Sequence, residues 1–335
     1  MTDTWKTLQY LETEPAAKRF LTRCYVNKGL EHAERLALQQ SSRFCFLWKQ
    51  ARLFYKTAEC ADLAIQPLLL FYGCTHLLKG MLLSQDPGYP HNSKDLQHGV
   101  TTKKVKRGSY VLAEDEIRPQ KEGLFPLLAR TLGLPPLSDR YRVRDLFLML
   151  APFSHLYASI MDKPAVWIPL ETSPFQQSGD ETASWTRIRF PEQPKGPLRY
   201  SWETLFQYIQ RFAPETWNLG QLEWKTDFAR QLFLPRSALS RLEQHPLFYR
   251  EEDTLYFWNN SSDTLPLPAW ACHFLLLYLF SMLCRYETEW WGELTMTHGM
   301  DERYLVERFL DYHAESFPSL VKRQLELQSG VRLPL

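Results

Sequence analysis

Apolar residues recur at helical spacing through most of residues 14–85. Phe20, Leu21, Cys24 and Tyr25 mark a helix from Glu14 to Lys28, with Asn27-Lys28-Gly29 as its stop. Leu36, Cys45, Leu47, Ala51, Phe54 and Tyr55 mark a second helix from Leu30 to Ala58. A third, Asp62 to Gln85, carries Pro67 in its first turns, where proline is tolerated. Its run PLLLFYGCTHLLKGMLL is apolar on nearly every side, the mark of a central helix. Asp86-Pro87-Gly88-Tyr89-Pro90 then breaks the pattern.

A polar stretch follows from His91 to Lys121, with Ser109 to Leu112 as a candidate short strand. Leu124 to Leu132 returns to helix, and Val143 to Met161 reads as helix interrupted at Pro152. Ala165 to Ile168 and Trp185 to Phe190 read as strands; the second alternates apolar and charged residues, as a half-buried strand does. Trp202 to Phe212 is helical, and Leu247–Arg250 with Thr254–Trp258 reads as a hairpin. Pro268–Tyr286, Asp301–Ser316 and Ser319–Gln328 close the chain as helices.

The pattern predicts a mainly α protein, a helical bundle with an inserted α+β subdomain containing short strands and a hairpin. Residues 1–90 supply the N-terminal helices, 91–263 a polar, partly β middle region, and 264–335 C-terminal helices that pack back on the first. The apolar segments Leu68–Leu83 and Phe274–Cys284 each need others to cover them, so they predict a shared core.

Composition narrows the function classes. Lys plus Arg is 39 against 38 for Asp plus Glu, so bulk charge does not favour nucleic acid or a membrane surface. The six cysteines form no CxxC pair, which disfavours zinc and thioredoxin-like chemistry and fits a reducing compartment. The start, Met1 to Lys6, is polar and lacks the apolar stretch of a signal peptide. The most apolar run, Phe274–Cys284, falls short of the roughly 20 residues that span a bilayer. A cytoplasmic location is the expectation. There is no Walker loop, GxGxxG, HExxH or GxSxG, so no cofactor or metal is expected and no catalytic constellation is legible.

The segments LLLFYGCTHLLKGMLL (68–83), HGVTTKKVKR (98–107), EDEIRPQKEGLF (114–125) and LLLYLFSMLCRYETEWWGEL (275–294) resemble the YaaC-like proteins of Bacillus and relatives. That resemblance implies no established activity. It does imply a link to purine nucleotide metabolism, because genes of that family often neighbour the one for IMP dehydrogenase. The expected partner is therefore another protein, with a purine-pathway enzyme as a candidate. FYGCTHLLKGML is also similar to the aromatic-rich helix of HEPN domains, with Tyr72, His76 and Lys79 on one face. That similarity implies a HEPN-like bundle and, through the family's Arg-x4–6-His motif, a ribonuclease alternative using Arg308 and His313. Phe309 stands where such motifs carry a polar residue.

Three other groups carry candidate chemistry. Lys103, Lys104, Lys106 and Arg107 could hold a phosphate or nucleotide, or could be a solvated loop neutralised by Glu114, Asp115 and Glu116. Their charge predicts exposure outside the helical core. Arg285, Tyr286 and Trp290 could form an anion or partner site, or Arg285 could cap its own helix. His76 and Lys79, with His98, could form a polar cluster in the bundle or be satisfied core groups.

Overall fold

The computed structural model describes residues 3–102, 110–134, 136–175, 185–213, 225–227, 230–236, 239–242, 245–251, 253–260, 265–297, 301–330 and 332–333. The chain divides into one unit of residues 1–146 with 270–335 and a second of residues 147–269. The first opens with α1 (Asp3–Gln9), α2 (Glu14–Asn27), α3 (Ala33–Ala58) and α4 (Gln66–Gln85). Pro15 and Pro67 stand at the first positions of α2 and α4, where the absent N–H would be unpaired anyway. Next come β1 (Val100–Thr102), β2 (Glu116–Pro119), α5 (Leu124–Thr131) and β3 (Tyr141–Arg142). The three strands form an antiparallel sheet in the order β1-β2-β3.

The chain passes into the second unit within α6 (Val143–Met149). That unit contains α7 (Ala151–Ile160), β4 (Trp167–Phe175), β5 (Trp185–Arg189), α8 (Trp202–Arg211), β6 (Lys225–Asp227), β7 (Gln231–Pro235), α9 (Leu239–Leu242), β8 (Phe248–Glu251) and β9 (Thr254–Trp258). Its antiparallel sheet has the order β6-β7-β5-β4-β9-β8. The long β4 pairs β9 through Trp167–Leu170 and β5 through Glu171–Phe175. Trp167 lies opposite Trp258 with ring centroids 5.1 Å apart. These rings share a buried cluster with Phe190, Ile188, Leu205 and Phe257. The chain returns to the first unit through α10 (Ala269–Tyr286), α11 (Thr288–Met296) and α12 (Asp301–Ser329).

Several expectations are corrected. Residues 91–146 belong with the helical unit, because β1–β3 and α5 make their contacts there. The strand expected at 109–112 is absent among the described residues: Leu112–Glu114 is a 3-10 turn, and the strands lie on either side of it. The final helices are one, running through Pro318, so that proline did not end the helix as its local chemistry suggests. Ala269–Tyr286 is apolar and long enough to cross a membrane, and 72% of that stretch is buried inside the protein.

Close packing of α3 on α4 rests on two glycines. A Cβ at Gly73 would lie 2.7 Å from Tyr55 Cδ2, and one at Gly80 would lie 3.1 Å from the Trp48 ring. Alanine normally exceeds glycine in a helix by about 1 kcal/mol. Here overpacking of a buried ring reverses the sign, so Gly73→Ala should cost about 2 kcal/mol in urea unfolding. Gly292→Ala in α11 meets open space. That change should stabilise the protein by up to about 1 kcal/mol.

Candidate functional site

Between Pro67 and Ser84, α4 is buried everywhere except along one stripe: Leu68, Leu69, Tyr72, His76 and Lys79. A helix otherwise apolar on all sides thus shows its accessible line as Tyr, His and Lys. Phe54 of α3 supports that line, stacked at 5.7 Å on Tyr72 and tilted at 5.5 Å from His76. His76 Nδ1–H donates to Tyr72 O at 2.7 Å, which leaves Nε2 as the free lone pair. Burial lowers the basicity of both His76 and Lys79, and Arg43 adds a like charge to Lys79.

The opposite border of the stripe faces His98. Phe71 lies 4.8 Å from the His98 ring, and Tyr278 of α10 lies 5.8 Å from it. Phe71, Thr75 and Lys79 follow one another at i, i+4 spacing, so they form one row. Thr75 is only 2% exposed, and among the described residues its hydroxyl has no partner; neither has His98 Nδ1. Burial, then the charges of Lys79 and Arg285, pushes His98 down to about 4, so its imidazole is neutral at pH 7.

α10 runs antiparallel to α4. Phe274 meets Phe71, while Cys284 Sγ and the Trp291 indole N–H both donate to Ala64 O, just before α4. Lys79 therefore lies about 12 Å along α4 from Phe71, and Arg285 about 10 Å along α10 from Tyr278 in the other direction. Both side chains lean back toward their helix N-termini and hence toward His98. For Arg285 this is seen directly, since Nε donates to Ser281 O at 2.9 Å. Neither Lys79 nor Arg285 forms an ion pair among the described residues, and Arg285 rests 5.2 Å over the Tyr286 ring. The result is an elongated cationic line with two unpaired polar atoms at its centre.

His98 thus lies between Lys79 and Arg285, whose charges both act on it, while His76 shares the α4 stripe with Lys79 and packs on Phe54. Tyr286 lies beside them, 62% exposed. Trp290 packs elsewhere, half-buried at 4.3 Å from Tyr110, whose hydroxyl donates to Asp115. Thr75 and Arg43 went unread. Thr75 could have been found from its i, i+4 relation to Lys79. Arg43 carries no sequence signal, because its approach to Lys79 depends on how α3 and α4 pair. The run Lys103, Lys104, Lys106 and Arg107 lies outside the described residues.

Arg308 and His313 are not brought together. Five residues separate them by about 140° around α12. Arg308 is 52% exposed at its side chain and pairs with Asp311. His313 is fully buried: Nε2 meets the Tyr55 hydroxyl at 2.6 Å and Nδ1 meets His273 Nδ1 at 3.1 Å. Tyr55 and two neutral imidazoles supply three hydrogens to two hydrogen bonds, and His273 Nε2 has no partner among the described residues. This cluster joins α3, α10 and α12 inside the core, and no substrate phosphate reaches it. Among the described residues no group of three or more His, Cys, Asp or Glu is placed to hold a metal.

A family model described as YaaC-like Protein matches residues 9–325. Neither a curated protein nor a solved structure matches the chain.

Proposed function

The chain belongs to the YaaC-like family, and we propose that it is a non-catalytic interaction or regulatory factor that holds an acidic segment of a partner protein. The observation that carries this reading is the line Lys79–His98–Arg285, whose two cations form no ion pair among the described residues and whose centre holds two buried polar atoms without a partner among them. A compact anion reaches one end of such a line, whereas an acidic chain segment spans both. The Thr75 hydroxyl and His98 Nδ1 are not hydrogen-bonded to each other, so no nucleophile is paired with an activating base there and binding is the chemistry on offer. A purine-pathway enzyme such as IMP dehydrogenase is the partner class this reading favours, and the cytoplasm its location.

The test is titration calorimetry with a short oligoglutamate peptide. Binding should weaken as salt rises and fall about tenfold or more in Lys79→Met with Arg285→Met. Purified IMP dehydrogenase should lose its binding to the same double variant. Lys79→Met alone should also raise the melting temperature, because it removes a half-buried ammonium without a counter-ion. Peptide binding that ignores both salt and the double substitution would end the proposal.

A further inference from the structure

The exposed face of α3 carries apolar residues that its own fold leaves uncovered. Leu38 is 59% exposed, Phe46 66% and Leu53 49%. Their spacings of eight and seven residues keep them on one side of the helix. At about 100° per residue they share an arc of about 80° with Arg35, Lys49 and Lys56. Those cations are exposed and form no ion pair among the described residues. Glu34, the acidic residue of α3, falls about 40° outside that arc, and Glu59, just past the helix end, about 60° outside it. Ser42, at the centre of that arc, donates to Glu14 of α2, so one carboxylate already sits beside the stripe and is held by a hydroxyl rather than by the three cations. An isolated exposed leucine needs no explanation, but a phenylalanine and two leucines in register along a 26-residue helix do.

We propose that this face docks an amphipathic helix of another protein, with leucine-like residues on one side and carboxylates flanking them. Charge chooses the occupant. A second copy of the chain would set Arg35, Lys49 and Lys56 against their own like charges, in either helix direction. An acidic helix sets carboxylates there, while its apolar side covers Phe46 at the centre. From Leu38 to Leu53 the stripe is about 22 Å long, which four turns of partner helix cover. Apolar anchors at successive turns are how helices are read in grooves and on helix faces. The surface is separate from the Lys79–His98–Arg285 line, so the two proposals stand or fall independently.

The experiment uses the full chain and a synthetic four-turn helical peptide with leucines on one face and glutamates beside them. A companion peptide carries lysine in place of glutamate. Fluorescence anisotropy should show binding of the acidic peptide only, with helix gained on binding by circular dichroism. Phe46→Asp, at an exposed position that leaves the fold intact, should weaken binding by about tenfold or more. Lys49→Glu with Lys56→Glu should do the same, and both effects should persist in a chain that already carries Lys79→Met with Arg285→Met, where acidic peptide can no longer be held by that other line. Absence of binding, or binding indifferent to Phe46→Asp, overturns the proposal. So does a concentration-dependent dimer abolished by Phe46→Asp, which makes the occupant a second copy. Capture by phosphatidylserine vesicles in preference to the peptide, lost in Phe46→Asp, overturns it in favour of a lipid surface.

Discussion

Unfolding free energy should fall steeply as the pH drops below about 6.5, the ordinary value for an unfolded histidine. His273 and His313 are both fully buried in the helical unit. Burial pushes His273 down to about 3, and burial with the neighbouring His273 holds His313 well below its usual range. Both are neutral in the folded protein at pH 7, and both take up protons more readily when it unfolds. Below pH 6.5 the unfolded state therefore binds more protons than the native one, and acid favours unfolding. Each histidine contributes a slope of about 1 kcal/mol per pH unit, so two pH units remove on the order of 4 kcal/mol. That is a large part of the roughly 5–15 kcal/mol that holds a typical domain together. His245 of the second unit, pushed down to about 4 by burial, adds to the loss with the same sign. Its two ring nitrogens are committed to Ile209 O and to the Leu247 N–H, and protonation removes the second bond. Urea unfolding at about pH 7.5, 6 and 5 measures the slope, and His313→Gln, which keeps a polar partner for Tyr55 without titrating, should flatten it. Stability that stays level from pH 7 to 5 would show that the imidazoles are not held neutral.

Gly123→Ala should be the most damaging single methyl in the helical unit. Gly123 has φ +117°, a conformation that L side chains rarely adopt. A Cβ there would lie 2.4 Å from the Gly99 Cα and 2.6 Å from its N, so backbone rather than a yielding side chain blocks it. Gly99, at φ +76°, approaches from the other side under the same restriction. Around this contact the Leu124 N–H donates to Gln97 O, the Phe125 N–H to His98 O and the Gln120 N–H to Gly99 O. The glycine pair thus sets the segment that presents His98. The added methyl combines a forbidden dihedral with a backbone collision, and about 3 kcal/mol or more should be lost. Gly133→Ala is the control. It also has positive φ, but a Cβ there meets open space, so its cost should stay near 1 kcal/mol. Thermal melts separate the two variants. Oligoglutamate binding should fall with Gly123→Ala even where enough folded protein remains to measure it. Equal melting temperatures for the two variants would contradict the packing argument.

Much of the secondary structure was legible because helix and strand periodicities are local. The stripes of α2 and α3, the all-round apolarity of α4 and α10, the alternation in β5 and the β8–β9 hairpin are written in residues close along the chain. So was the accessible face of α4: Tyr72, His76 and Lys79 are the polar residues that interrupt an apolar helix. The family, too, could be read from ordered segments along the chain. The tertiary structure decided the rest. β6 and β7 have no sequence signal as strong as their place in the sheet, because a strand is completed by partners distant in sequence. Residues 91–146 read as polar and separate, yet their apolar minority, Phe125 among it, stacks on Phe274 of α10. The fates of the histidines were hidden for the same reason. His98 and His313 look alike as polar residues among apolar ones. One has an unpaired nitrogen near two cations, while the other is sealed between Tyr55 and His273. A residue's periodicity sets which face of its helix it occupies. Its protonation and its partners are set by what the opposite helix brings, and that contact exists only once the chain has folded.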